Sequence, residues 1–89
     1  MRAIISVVGE DRVGILNRVS GACAECNANI VDVTQSVLQK MFVMVMLVDI
    51  TDISVDFDAL TKKMNALGEE IGMVIHVMHE DIFNSMHRI

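Results

Sequence analysis

Two glycines five positions apart, Gly9 and Gly14, mark the place where this chain is best equipped for chemistry. They sit in the run Val8-Gly9-Glu10-Asp11-Arg12-Val13-Gly14-Ile15-Leu16, where an apolar strand breaks and a helix begins. A strand-to-helix turn leaves the backbone N–H groups of the first helical turn free, and such groups attract small anions. The glycine spacing is that of a phosphate-binding P-loop. Ile15-Leu16, however, occupies the place of the lysine and hydroxyl residue that hold phosphate and metal, so nucleoside triphosphate binding is excluded. The dinucleotide pattern fails as well, because Glu10 to Val13 contains no glycine. Two readings survive: a turn that receives a small carboxylate, or one that merely needs small residues.

Cys23-Ala-Glu-Cys26 has the spacing of a redox or metal motif. Reactive pairs of that kind sit at a helix N-terminus, where the dipole favours thiolate. This pair falls near a helix C-terminal end, where the dipole opposes it, and it continues an apolar face. Core packing is the better reading. His76-Val-Met-His79 invites a metal, but residues three apart on a strand point to opposite faces and share an ion poorly. His87 is too loosely placed to complete a site. No Ser, His and carboxylate relay is identifiable around Ser6, Ser20 or Ser36, and Asp11 reads as a helix cap in preference to a general base.

Bulk properties narrow the partners. The 89 residues make one domain, 1–89, with a helical tail at about 80–89; 53% are hydrophobic, more apolar surface than one small core covers. A subunit interface is therefore expected. The net charge of −5 argues against a nucleic-acid partner, and three phenylalanines as the only aromatics make a base-stacking sheet improbable. No run reaches the roughly 18 apolar residues of a membrane helix, and Glu10-Asp11-Arg12 interrupts any signal pattern. A cytoplasmic protein with reduced cysteines is expected.

The elements that position these groups follow from periodicity. Arg2 to Val8 reads as a strand. A helix capped by Asp11 then presents Ile15, Leu16, Val19, Cys23 and Cys26, and ends at Asn27 or Asn29. Ile30–Leu38 and Met41–Ile50 read as strands reversing at Gln39-Lys40. In the second of these both alternations are apolar, as in a strand buried on both faces; helices cover one, and the other needs a further layer such as a partner subunit. Ser54 caps a second helix with Phe57, Leu60, Met64, Leu67 and Ile71 on one face, and Gly72 stops it. Met73–Met78 is a fourth strand, and Ile82, Phe83, Met86 and Ile89 suit a docked terminal helix. The order β-α-β-β-α-β with right-handed crossovers is an α+β, ferredoxin-like sandwich: four antiparallel strands, two helices on one face and a short C-terminal helix. Acylphosphatase shares this fold and Arg12 suits it, but no Asn in Gln39–Phe42 is available to orient a water.

The run from Val8 to Ile15, then Val19-Ser20, then Asn29-Ile30-Val31-Asp32-Val33-Thr34-Gln35, closely resembles the signature of ACT domains. Length and the ending Ile82 to Ile89 resemble the small stand-alone single-ACT-domain proteins of bacteria and archaea. The resemblance implies a ferredoxin-like module that binds an amino acid and regulates enzymes or transcription factors. It implies side-by-side association, with the effector between the first strand–helix loop of one chain and the second strand of its neighbour. On the matching positions Asp11, Val13, Gly14 and Ile15 line the loop side, with Asn29, Ile30 and Gln35 on the strand side.

Physical chemistry agrees in kind. Main-chain N–H groups at Gly14 and Ile15 suit a carboxylate, and an ammonium suits the Asn29 Oδ1 or the Asp11 carboxylate. The expected protein is a cytoplasmic homodimeric regulatory or sensor module with no catalytic residues, metal or cofactor. Its partners are a small amino acid, a second copy of itself, and an enzyme or regulator that receives the signal; neither nucleic acid nor membrane is among them. The alternative is a ligand-free interaction module that docks through its sheet or through Phe83 and Met86.

Overall fold

The computed structural model describes residues 1–86, in which strand β1 (Arg2–Glu10) leads through a short loop into helix α1 (Ile15–Glu25). Strands β2 (Asn29–Leu38) and β3 (Met41–Asp49) follow, then helix α2 (Phe57–Ile71), strand β4 (Met73–His79) and helix α3 (Glu80–Met86). The four strands form one antiparallel sheet in the order β2-β3-β1-β4. This is the expected ferredoxin-like arrangement, with β1 and β3 central and β2 and β4 at the edges. Positions 87–89, and with them the expectations placed on His87 and Ile89, lie outside the described residues.

The core follows the two periodicities. Ala3, Ile5 and Val7 alternate inward from β1, and Phe42, Met44, Met46 and Val48 do so from β3. They meet Ile15, Val19 and Cys23 of α1 and Leu60, Met64 and Leu67 of α2 in one buried cluster, so both helices cover the same sheet face. Each fully buried Ile, Leu or Met contributes about 1.5–3 kcal/mol relative to exposure. Among the described residues no helix is long and apolar enough to cross a membrane.

Three expectations need correction. Asp11 does not cap α1: Gly14 occupies the N-cap position and no side chain bonds there. Ser54 does not cap α2: Asp56 does, its carboxylate accepting from the Ala59 N–H at 2.7 Å. Within one chain β3 is buried on one face. Its even residues are in the core, while Val45 on the opposite face is 36% exposed and Val43 and Leu47 are half-buried. Both α1 and α2 pack on the other face. Leu16 also leaves the expected apolar stripe and is 37% exposed. Helix ends at Asn27 (φ 59) and Gly72 (φ 72) take the left-handed backbone that these residue types tolerate.

Candidate functional site

The loop between β1 and α1 is held at both ends. Gly9 pairs with Phe42 on one side and Met73 on the other, and a β-carbon there would come within 2.5 Å of Met73 Sδ and 3.1 Å of the Gly72 carbonyl oxygen. The first glycine is thus fixed by close packing. Two residues on, the Asp11 N–H donates to the Lys40 carbonyl at 3.1 Å and ties the loop to the β2–β3 hairpin. The second glycine is fixed by conformation: Gly14 has φ 86, ψ 7, the left-handed region that a β-carbon disfavours.

From Gly14 the helix starts without help from side chains. Its carbonyl accepts the Arg18 N–H at 3.0 Å, but no side chain caps the first turn and no acidic residue lies in it. The free N–H groups therefore present uncompensated partial positive charge. A β-carbon added to Gly14 would have nothing within 4 Å, so the space above it is open. Beside it lies a hollow of about 230 Å³ lined by Arg12, Val13, Gly14, Ile15, Arg18, Glu70 and Ile71. Ile15 is buried at 4% exposure and offers this hollow its backbone, whereas Val13 is fully exposed. Asp11 is exposed too.

Three lining residues were missed by sequence reasoning. Arg18 lies one helical turn after Gly14 and forms an ion pair with Glu70 of α2 at 2.6 Å. Ile71 lies at the end of α2, where the crossover returns that helix to the loop. The i+4 spacing from Gly14 to Arg18 is a usable signal; the arrival of Glu70 and Ile71 is tertiary. Arg12, read from sequence only as a phosphatase feature, lies against the C-terminus of α2. A β-carbon on Gly72 would be 3.6 Å from its Nη2, where a cation complements the helix dipole.

The strand-side residues are elsewhere. Glu10 pairs with Met41 at one end of β3, while Asn29 pairs with Asp49 at the other. Eight residue steps separate these ends, roughly 26 Å at the usual strand rise. Ile30, beside Asn29, is half-buried against the core; Gln35 pairs with Met44 part-way along and is exposed. One chain therefore brings Asp11, Val13, Gly14 and Ile15 together and holds Asn29 and Ile30 at the far end of the sheet.

The remaining candidates settle into structure. Cys23 is completely buried, and burial first, then neighbouring Cys26, pushes its thiol up to about 11. His79 stacks its ring on Phe57 at 4.5 Å, while His76 pairs with Ser6 and is exposed. Among the described residues no group of three or more His, Cys, Asp or Glu is placed to hold a metal ion. The groove between α1 and α2 is spanned by the Arg18–Glu70 pair and by Lys63–Glu25 at 2.6 Å. There the Lys63 ammonium bonds Glu25 and holds its carboxyl below the ordinary range.

Comparison with known proteins agrees with this architecture. A family model described as the ACT domain matches residues 2–78. The chain is similar to a UPF0237 protein of Methanocaldococcus jannaschii, with 49% identity over 88 residues that cover 99% of this chain and 98% of that one. Among solved structures, an ACT domain protein from Streptococcus pneumoniae is 40% identical, with a TM-score of 0.82 and 93% of each chain covered. A formyltetrahydrofolate deformylase from Pseudomonas putida gives a TM-score of 0.80 over 91% of this chain and 30% of its own; at 12% identity the likeness is one of fold. With its element order, its glycine-framed first loop and these matches, the chain belongs to the ACT domain family of small-molecule-binding regulatory modules.

Proposed function

We propose that this protein is an amino-acid sensor whose pocket lies between two copies of the chain. The observation that carries the reading is the uncapped start of α1, with free N–H groups, open space over Gly14 and an adjoining hollow. Such a site suits the α-carboxylate common to all amino acids.

The separation of Asn29 from the loop supports a two-chain pocket. β2 is an edge strand, and two β2 edges paired antiparallel about a two-fold axis would set the Asn29 end of each beside the Leu38 end of the other. The Leu38 end adjoins Lys40, whose carbonyl holds the loop at Asp11. Asp11, Val13, Gly14 and Ile15 would then face the partner's Asn29 and Ile30, with Gln35 along the seam. The half-exposed outer sheet face supplies further apolar surface for association. A regulatory output through an enzyme or regulator, and residence in the cytoplasm, belong to the same proposal; unbridged Cys23 and Cys26 suit a reducing compartment.

Isothermal titration against the twenty amino acids tests the reading, alongside sedimentation with and without each ligand. Heat from at least one amino acid, with tighter self-association in its presence, is the expected result. Silence across the panel rejects the sensor, and a monomer at all concentrations rejects the two-chain pocket.

A further inference from the structure

The β2 edge carries its own lock. Gln39 and Lys40 form a two-residue reversal, which makes the flanking pair Leu38 and Met41 a hydrogen-bonded one. Bonded and non-bonded pairs then alternate along the ladder, so Ser36–Val43 and Thr34–Val45 are bonded. Val33, Gln35 and Val37 are left with their N–H and C=O groups pointing away from β3. These outward groups are what a second strand would use.

One of them is occupied. The Val33 N–H donates to the carboxylate of Asp32, Oδ1, at 2.9 Å. Asp32 directly follows a bulge at Val31, where the register between β2 and β3 shifts by one residue. Asp32 is also the only charged residue in Asn29–Leu38, and the strand has neither proline nor lysine. Edge strands are ordinarily guarded by such residues or by bulges. Here the bulge and one aspartate carry that role.

We infer that Asp32 competes with a second copy of this chain for the β2 edge, so that pairing requires its carboxylate to release the Val33 N–H. The inference rests on the edge pairing proposed above. Self-complementarity on the strand favours a second copy as the occupant. Setting Val33 opposite the partner's Gln35 aligns outward groups with outward groups and puts Thr34 on the two-fold axis. In that register Val33 and Gln35 pair across the axis on the helix-bearing face, with Val37, 54% exposed, beyond them. Asp32 falls opposite the partner's Ser36.

The lock has a defined range. A carboxylate-to-N–H bond is stronger than the neutral bond that replaces it, so the resting edge is disfavoured for pairing with any strand. Only a partner that adds contacts beyond the ladder, as a second copy does through Val33 and Val37, overcomes it. Asp32 in this reading positions and restrains the interface; it touches no ligand.

Sedimentation equilibrium on the full chain tests this with four variants. Asp32→Ala is expected to tighten self-association about tenfold or more, since two locks are removed per pair. Asp32→Asn keeps an Oδ1 acceptor for Val33 but not its charge, and is expected to fall between the wild type and Asp32→Ala. Val37→Pro removes an outward N–H that the β2–β3 ladder does not use, and Val37→Lys charges the same edge; both are expected to weaken association in the Asp32→Ala background. Circular dichroism confirms that each remains folded. Unchanged or weaker association in Asp32→Ala overturns the lock, and so does an equal gain in Asp32→Asn, which would trace the effect to charge repulsion. If the two Val37 variants associate like their parent, edge pairing itself fails. If they weaken it while Asp32→Ala changes nothing, edge pairing stands and the lock alone is rejected.

Discussion

Gly68 of α2 lies so close to Met73 of β4 that a β-carbon on the glycine would be 2.6 Å from the Met73 carbonyl oxygen and 3.2 Å from Ile75 Cγ1. The helix is pressed onto the strand at the point where the chain turns between them. A glycine inside a helix costs about 1 kcal/mol in propensity relative to alanine. Close packing against backbone outweighs that here, because a carbonyl oxygen cannot rotate aside as a side chain would. Gly68→Ala is therefore expected to destabilise the fold by about 1–3 kcal/mol despite its better helix propensity. Urea unfolding measures it; a stabilised variant would contradict the packing.

Gly14 is constrained by angle and not by space. Gly14→Ala meets no atom but must adopt φ 86, at a cost of about 1–2 kcal/mol. Gly14→Asn tolerates that backbone better and should lose less stability. Thermal unfolding ranks the two. Because asparagine keeps the backbone and adds bulk, loss of amino-acid binding in Gly14→Asn at near-normal stability would report crowding of the ligand.

Gln39 is the first residue of the β2–β3 reversal and takes φ 58, a value suited to glycine. Gln39→Gly relieves left-handed strain of about 1–2 kcal/mol and gives back roughly 0.4–1 kcal/mol through the freer unfolded chain. A net gain in stability of at most about 1.5 kcal/mol is expected in thermal unfolding. A loss would show that the Gln39 side chain stabilises the turn.

Cys23 predicts an alkaline limit. Its thiol titrates at about 11 in the folded chain against 9.0 for a free one. Between those values the folded state holds a proton that the unfolded state has lost, so stability is full below pH 9 and falls as pH rises toward 11. The loss is on the order of 3 kcal/mol. Cys23→Ala should start less stable and show a flatter profile across that window. In native protein at neutral pH, Cys23 should react with thiol reagents only as fast as the chain opens.

Much of the molecule was legible because its two periodicities are clean. Val19, Cys23, Leu60, Met64 and Leu67 fall in the core where helical spacing put them, and Gly72 ends α2 as its residue type suggests. Sequence reasoning failed where several residues offered the same chemistry. Asp11 and Ser54 are both good caps, yet the left-handed Gly14 and the Asp56 bond to Ala59 decide where the helices begin. Burial of Val43, Val45 and Leu47 depends on what lies opposite them, and within one chain α1 and α2 both pack on the other face of the sheet. The loop half of the candidate site was contiguous in sequence and so easily seen. Arg18, Glu70 and Ile71 were not, since only the crossover of α2 brings its end to that loop. The bulge at Val31 left no mark in composition, because valine suits a regular strand equally well.

The far-apart placement of Gly14 and Asn29 gives a paired sensor an uncommon dose response. Each two-fold pair would hold two pockets, and each chain would lend a loop to one and a strand end to the other. Ligand and protein would then enter one mass-action law: raising either fills pockets, and the ligand needed for half-occupancy falls as more chains are made. Such a protein would report the product of metabolite level and its own abundance.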